Sequence, residues 1–308
     1  MEKEAPTYCL VRKGDKIIIK MKEAKLYEKE GANVRCLACS HKCLISKGQA
    51  GICGVRKNEN GVLYLLVYGR VVAANVDPIE KKPLYHFLPG SKSFSIGTVG
   101  CNFKCDFCQN YDISQFREFY GDKILGEQME PRQVVQKAIR SGCQSIAYTY
   151  NEPAIFIEFV KDIAKIAKKK GLKNVMVTNG YFSSECFNFI KNYIDAMNID
   201  LKAFTEEFYN RLCKARLKPV LETIKRVYNA GIHLEITTLV IPGENDSDEE
   251  LTSIAKFIAS IDKNIPWHIS RFFPHHKLMY RPITPMSTLE RAHKIGKKYL
   301  KNVYLGNV

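Results

Sequence analysis

The sequence predicts an α/β fold: a partial (β/α)6-type TIM barrel of parallel strands behind an N-terminal cysteine-rich extension. Three observations carry that expectation. From Ser93 onward, short apolar runs alternate with helix-length amphipathic runs six or seven times, which is the pattern of parallel strand–helix units. Each of the first six strand candidates runs out into polar, glycine or cysteine residues, as the functional rim of such a barrel does. Seven of the 11 cysteines fall in two clusters, one ahead of the barrel and one just after its first strand. The expected division is a lobe at 1–92 and a barrel at 93–308.

Residues 1–30 read as a mixed lead-in, with a candidate short strand at 16–21. Residues 36–53 carry the first cysteine cluster. Residues 61–76, rich in Val, Leu and Tyr, suggest a strand pair broken at Gly69-Arg70. A proline-punctuated stretch follows at 77–90. The expected barrel strands are 94–99, 145–149, 174–178, 196–201, 233–240 and 267–272, with a seventh at 303–305. The expected helices are 131–141, 153–170, 184–193, 206–213, 218–230, 247–262 and 287–300. The second of these shows the strength of the signal. Pro153 suits a first helical position, where a missing N–H costs nothing. Phe156, Phe159, Val160, Ile163, Ile166 and Ala167 form one apolar stripe at helical spacing, and Gly171 fits the cap after the last turn.

At 308 residues with 45% hydrophobic and 26% charged content, the chain is long enough for a sizeable core. Its opening, Met-Glu-Lys-Glu-Ala-Pro, lacks the form of a signal peptide. No apolar run approaches the roughly 20 residues that cross a bilayer. A cytoplasmic location with no membrane partner is expected, and in a reducing compartment clustered cysteines bind metal rather than pair. The isolated Cys9, Cys143, Cys186 and Cys213 are expected to pack as small hydrophobes. The net charge of +15 is scattered, and its longest run, Lys168-Lys169-Lys170, closes a helix where cations suit the dipole. No aromatic-and-basic stretch supports a nucleic-acid partner.

The run Cys101-Asn102-Phe103-Lys104-Cys105-Asp106-Phe107-Cys108 has the spacing C-x3-C-x2-C. A four-iron cube usually takes four thiolates; three leave one iron open for chemistry. The other strand ends supply polar company: Thr149-Tyr150-Asn151-Glu152-Pro153, then Thr178-Asn179-Gly180, then Asp200-Leu201-Lys202. Strand alternation puts Asn198, Asp200 and Lys202 on one face, His233, Glu235 and Thr237 on one face, and His268 with Ser270. A lining of that kind suits a polar ligand or a hydrogen-bonded network.

These residues resemble a known family. The cysteine run is similar to the radical S-adenosylmethionine (radical SAM) signature, with Phe107 at its aromatic position. Asn151-Glu152-Pro153 resembles the family's Gly-Gly-Glu-Pro element, with Asn151 in place of a glycine. Thr178-Asn179-Gly180 and Asp200-Leu201-Lys202 resemble elements of pyruvate formate-lyase activating enzymes. Together with Asp77-Pro78-Ile79-Glu80-Lys81-Lys82-Pro83 and Cys108-Gln109-Asn110, the set most resembles the radical SAM enzyme of the AmmeMemoRadiSam system. The resemblance implies a [4Fe–4S] cluster on Cys101, Cys105 and Cys108 and S-adenosylmethionine bound at the open iron. Reductive cleavage would then give a 5′-deoxyadenosyl radical that abstracts hydrogen. It implies cofactor contacts from Phe107, Asn151, Glu152, Asn179, Gly180, Asp200 and Lys202. Lys202, Asp200, Glu235 and His268 become the catalytic candidates. It implies a reduced ferredoxin or flavodoxin-type donor and, for the subfamily, AMMECR-type and Memo-type partner proteins. A glycyl-radical activase and a nucleic-acid-modifying enzyme are the alternatives.

The first cluster reads Cys36-Leu37-Ala38-Cys39-Ser40-His41-Lys42-Cys43, then Gly51-Ile52-Cys53-Gly54. Four thiols at C-x2-C-x3-C-x9-C predict a metal site, and both tetrahedral zinc and an iron–sulfur cluster accept them. His41 is a spare ligand candidate, expected instead at the surface.

Overall fold

The computed structural model describes residues 21–308 together with the backbone of the paired two-residue strands Arg12–Lys13 and Lys16–Ile17. Cys9 and the interior of the candidate strand at 16–21 lie outside the described residues.

One eight-stranded sheet organises the fold. Its strands are β1 (Ala73–Pro78), β2 (Lys92–Gly97), β3 (Ser145–Tyr148), β4 (Lys173–Thr178), β5 (Ala196–Asp200), β6 (His233–Val240), β7 (Trp267–Arg271) and β8 (Val303–Gly306). They lie side by side in chain order, with β1 antiparallel to β2 and every later pair parallel. The two edge strands do not pair, so the barrel stays open. Six helices connect and cover it: α1 (Pro131–Arg140), α2 (Ile157–Lys169), α3 (Ser184–Ile190), α4 (Leu217–Asn229), α5 (Asp248–Ile261) and α6 (Met286–Lys297). Strands covered on both faces must be apolar almost throughout, and β3 and the interiors of β4 and β5 are buried accordingly.

The strand expectations land within about two residues, an ordinary uncertainty for element ends. Two regions differ in kind. The run at 61–76 is not a hairpin. Val62–Leu65 pairs with Lys22–Glu23 and Arg56–Glu59, Arg70–Val71 pairs with Glu127–Gln128, and β1 joins the barrel. The main sheet therefore begins at residue 73, ahead of the boundary expected at 93. β1 gives β2 a hydrogen-bonded neighbour on a side that would otherwise be a bare sheet edge. The helix expected at 206–213 is instead a short α segment, Glu206–Phe208, running into the π-helix Tyr209–Cys213. Lys214 stops it in the left-handed region at φ 56°.

The segment after β1 turns back under the barrel. Ile79 and Leu84 pack on Ala147, Val175 and Ala196 of β3, β4 and β5, and the Asn198 amide donates to the Pro83 carbonyl at 2.7 Å. The buried Lys82 ammonium bonds Asp77 at 2.7 Å. This plug closes the end opposite the strands' C-terminal rim.

The N-terminal lobe sits on that rim. The Ser40 amide donates to the Tyr181 carbonyl and Cys39 makes a bridge to Phe182. The Ser183 hydroxyl donates to the Leu37 carbonyl. Arg56 of the lobe, 1% exposed, bonds both carboxylate oxygens of Glu158 on α2, 3% exposed, and its Nε donates to the Ile155 carbonyl. A pair this deeply buried is worth little against an apolar substitute, yet removing one partner strands a charge at a cost of about 3–5 kcal/mol.

Candidate active site

The loop 101–108 leaves the C-terminal end of β2, and two neighbours shape it. From one side, the π-helix accepts the Lys104 and Asp106 amides on the Cys213 and Leu212 carbonyls at 3.0 and 2.9 Å. From the other, the Asn151 side chain donates to the Gly100 carbonyl at 2.8 Å and to Thr98 Oγ1 at 3.1 Å. Asn151, expected to touch a cofactor, thus has its amide engaged in bracing the cysteine loop. Phe107 is buried against Phe208.

Burial pushes the Cys101 and Cys108 thiols up, Cys108 to about 11, and a hydrogen bond to Cys213, followed by burial, does the same to Cys105. Ligation therefore has to displace protons. The surroundings favour it. The Phe103 amide donates to Cys101 Sγ at 3.4 Å and Cys108 Sγ lies 3.1 Å from the Ser114 hydroxyl, contacts that tune a cluster's sulfurs. The Lys202 ammonium pulls the Cys105 and Cys108 thiols down. Burial works against Lys202's own charge, but Asp200, at 2.8 Å, and the neighbouring thiols hold it well above its ordinary value. A cation fixed beside Cys105 and Cys108 suits a negatively charged cluster, so the donor set fits one. Cys213, expected to be mere packing, hydrogen-bonds Cys105; sequence reasoning missed it because 108 positions separate the two residues along the chain.

Glu152 completes the site. It is 1% exposed, and its carboxylate accepts from the Ala154 and Asn179 amides at 2.9 and 2.8 Å and from the Thr178 hydroxyl at 2.8 Å. Burial nonetheless raises it to about 7. No cation bonds it among the described residues, although its charge is felt at Cys101. A buried carboxylate without a cation, beside the thiols, has the chemistry to accept a ligand ammonium. Asn179 links the two parts, with Nδ2 donating to Asn102 Oδ1 at 2.7 Å. Gly180, at φ 71°, could not carry a Cβ, which would stand 2.8 Å from Ile199 Cγ2.

Glu235 and His268 face the interior as alternation predicts but stand low in it. Glu235 is the third residue of β6 and His268 the second of β7. Glu235 accepts from the Tyr85 and His86 amides of the plug at 3.0 and 2.8 Å and bonds His233 and His268 at 2.9 and 2.6 Å. Four partners occupy its two carboxylate oxygens. The structure thus brings Asp200 and Lys202 to the cysteines and separates Glu235 and His268 from them.

Cys36, Cys39, Cys43 and Cys53 all line one small cavity of the lobe, with Arg56, Asn102 and His41. His41 is not a surface residue: its ring lies 4.8 Å from Tyr181 and its Nε2 is 2.9 Å from the Asn102 carbonyl oxygen.

Comparison with known proteins bears on the family and the fold. The radical SAM superfamily pattern matches residues 95–255. An uncharacterised protein of Methanocaldococcus jannaschii is 45% identical over 291 residues, 94% of this chain and 86% of its own length. The pyruvate formate-lyase-activating enzyme of Clostridium pasteurianum is 24% identical over 66% of this chain and 88% of its own. Among solved structures, Streptococcus suis SuiB bound to precursor peptide SuiA superposes with a TM-score of 0.54 at 13% identity, over 68% of this chain and 47% of SuiB, and so shares the fold. No described helix is long and apolar enough to cross a membrane.

Proposed function

The chain belongs to the radical SAM superfamily, and from that premise we propose that it cleaves S-adenosylmethionine at the Cys101–Cys108 loop to start hydrogen abstraction from a substrate held in the barrel. The observation that carries the reading is Glu152, a buried carboxylate that no cation bonds among the described residues, at the edge of the cysteine site.

In this reading Cys101, Cys105 and Cys108 would hold a [4Fe–4S] cluster, which when bound would supply the electron for reductive cleavage of S-adenosylmethionine. Glu152 binds the ligand's ammonium, and Thr178 and the Asn179 amide fix the carboxylate's orientation. Asn179 holds Asn102 and so the first cysteine. Lys202, paired with Asp200, balances the negative charge gathered beside Cys105, and Phe107 offers its main chain to the adenine. Gly180 lets the strand end turn tightly against Ile199. The plug keeps solvent from the lower end of the barrel, where stray water would quench selectivity. We place substrate above Asn198 and Thr237, which bond each other at 2.9 Å and form the floor beneath Asp200. The electron comes from a low-potential donor of the ferredoxin or flavodoxin class, and AMMECR-type and Memo-type proteins are the proposed partners. Similarity to the Clostridium pasteurianum enzyme favours one second reading, in which the hydrogen comes from a glycine of a partner protein.

The test is direct. Anaerobically reconstituted protein, reduced with dithionite and given S-adenosylmethionine, should form 5′-deoxyadenosine, and Glu152→Ala should bind S-adenosylmethionine far more weakly. A Glu152→Ala variant with unchanged affinity would remove Glu152 from the site. Hydrogen exchange into 5′-deoxyadenosine from a deuterated candidate protein or small molecule then separates the two substrate readings.

A further inference from the structure

We infer that Cys36, Cys39, Cys43 and Cys53 hold a second iron–sulfur cluster, and that this cluster passes single electrons to the neighbouring cysteine site across the Asn102 segment. The inference rests on the radical SAM reading only for its electron acceptor; the second cluster stands on its own residues.

The four thiols surround one cavity although 17 positions separate the first from the last, Cys36 from Cys53. The turns that bring them there need their glycines. Gly48 and Gly54 have φ of 77° and 79°, and a Cβ on Gly51 would lie 3.5 Å from Cys43 Sγ and 3.2 Å from Ile45 Cδ1. A tetrahedral zinc site draws four sulfurs to about 2.3 Å from one point. Among the described residues no group of three or more His, Cys, Asp or Glu converges that way. The same holds at Cys101, Cys105 and Cys108, whose signature calls for a cluster. Four thiols on one cavity wall are the full thiolate set of a [4Fe–4S] cluster.

A polar group is waiting in that cavity. Asn102 is 1% exposed and lines it. Its Oδ1 accepts from Asn179, while its Nδ2 has no partner among the described residues. A buried amide N–H without an acceptor costs about 1–3 kcal/mol; a sulfide or thiolate of a bound cluster would accept it. The Arg56 guanidinium, on the same wall, is already held by Glu158 and Ile155 and adds positive potential.

The same residue abuts the other site. Asn102 follows Cys101 directly, and a Cβ on Gly100 would come within 2.6 Å of the Cys53 carbonyl oxygen, so the two cysteine loops touch with no side chain between them. The outer end faces solvent: Cys43 is half-buried between the cavity and the exposed Leu44. An electron has a route from the surface to Cys101. The balance is simple. A low-potential donor of the ferredoxin or flavodoxin class loses one electron, the second cluster gains and then loses it, and sulfonium cleavage at the first site consumes it.

The test uses the full chain with Cys101→Ala, Cys105→Ala and Cys108→Ala together, reconstituted anaerobically and checked for folding by circular dichroism. About four irons and four sulfides per chain and a reduced EPR signal indifferent to S-adenosylmethionine are expected. One zinc, or no metal, overturns the inference. Should the triple variant fail to fold, Cys36→Ala with Cys39→Ala serves in reverse: wild type should hold about eight irons and this variant about four, with only the S-adenosylmethionine-sensitive signal left. Equal iron in both overturns it. Asn102→Ala should move the second cluster's potential negative by removing an N–H···S donor; an unmoved potential breaks the Asn102 link. Reduction of the first cluster by a flavodoxin should be markedly slower in Cys36→Ala with Cys39→Ala, and equal rates overturn the relay. If the triple variant keeps its cluster while wild type forms no 5′-deoxyadenosine, the proposed function fails and this inference stands; the opposite pattern fails the inference alone.

Discussion

The two cysteine loops meet at Gly100 and Cys53, yet they are built from different surroundings. Loop 101–108 has three cysteines, a buried carboxylate without a cation in Glu152, and a lysine held at the thiols by Asp200. Loop 36–53 has four cysteines and a largely apolar wall, and its charged neighbour, Arg56, is paired with Glu158. The missing thiol and the waiting carboxylate belong together: a site short of one ligand carries the group that would receive an outside one. A site complete in thiols has nothing arranged for substrate. Under the proposed function and the inferred second cluster, the difference separates a place for chemistry from a place for electron transfer.

The largest expected effect comes from cutting the fastening between them. Arg56→Ala should destabilise the protein by about 3–5 kcal/mol, because it leaves Glu158 charged and buried; urea unfolding measures it, and a loss under 1 kcal/mol would show that the lobe is held by other contacts. Next is the contact point. Gly100→Ala should cost about 2–3 kcal/mol, since the residue sits at φ 91° and its Cβ would strike the Cys53 carbonyl. It should also lower iron content at both loops, whereas an effect at one loop alone would argue that the sites are independent.

A smaller effect sharpens the distinction by pH. Glu152 binds an ammonium only when ionised, and burial sets it at about 7 in the ligand-free protein. S-adenosylmethionine affinity should therefore fall about tenfold for each unit below 7; a titration flat from pH 5 to 7 would show that Glu152 is not the receptor. Glu235 should behave oppositely. Burial alone would raise it, but His233, His268 and the plug amides hold it at about 2, below its ordinary 4.5. A depressed carboxylate stabilises fully above its unfolded value and loses that contribution as pH falls from about 4.5 toward 2. Glu235→Gln should be less stable than wild type at pH 6, with the gap narrowing toward pH 3. Its S-adenosylmethionine affinity should be unchanged, and a loss there would return Glu235 to the catalytic group.

Much of this was legible in the sequence. The seven parallel strands showed as apolar runs because both their faces are covered, and the Cys101 loop, Glu152, Asn179, Asp200 and Lys202 showed because strand ends of a parallel sheet share one rim. What escaped has physical reasons. β1 carries two alanines, an asparagine and a proline over six residues, too weak a strand signal to separate it from the run before it. Alternation assigned Glu235 and His268 to the correct face but gives no height; counting from the strand starts would have placed them low. Cys213 and Asn102 gained their roles only from folding, through a π-helix and a shared wall that no local spacing encodes.

The central claim is that three cysteines without a fourth make the reactive site. The most direct measurement is 5′-deoxyadenosine formed from S-adenosylmethionine by the reduced, reconstituted protein, compared with Cys105→Ala and with Cys39→Ala. Formation by wild type, its fall to background in Cys105→Ala, and its survival with dithionite in Cys39→Ala are the predicted results. Equal product from wild type and Cys105→Ala would contradict the account.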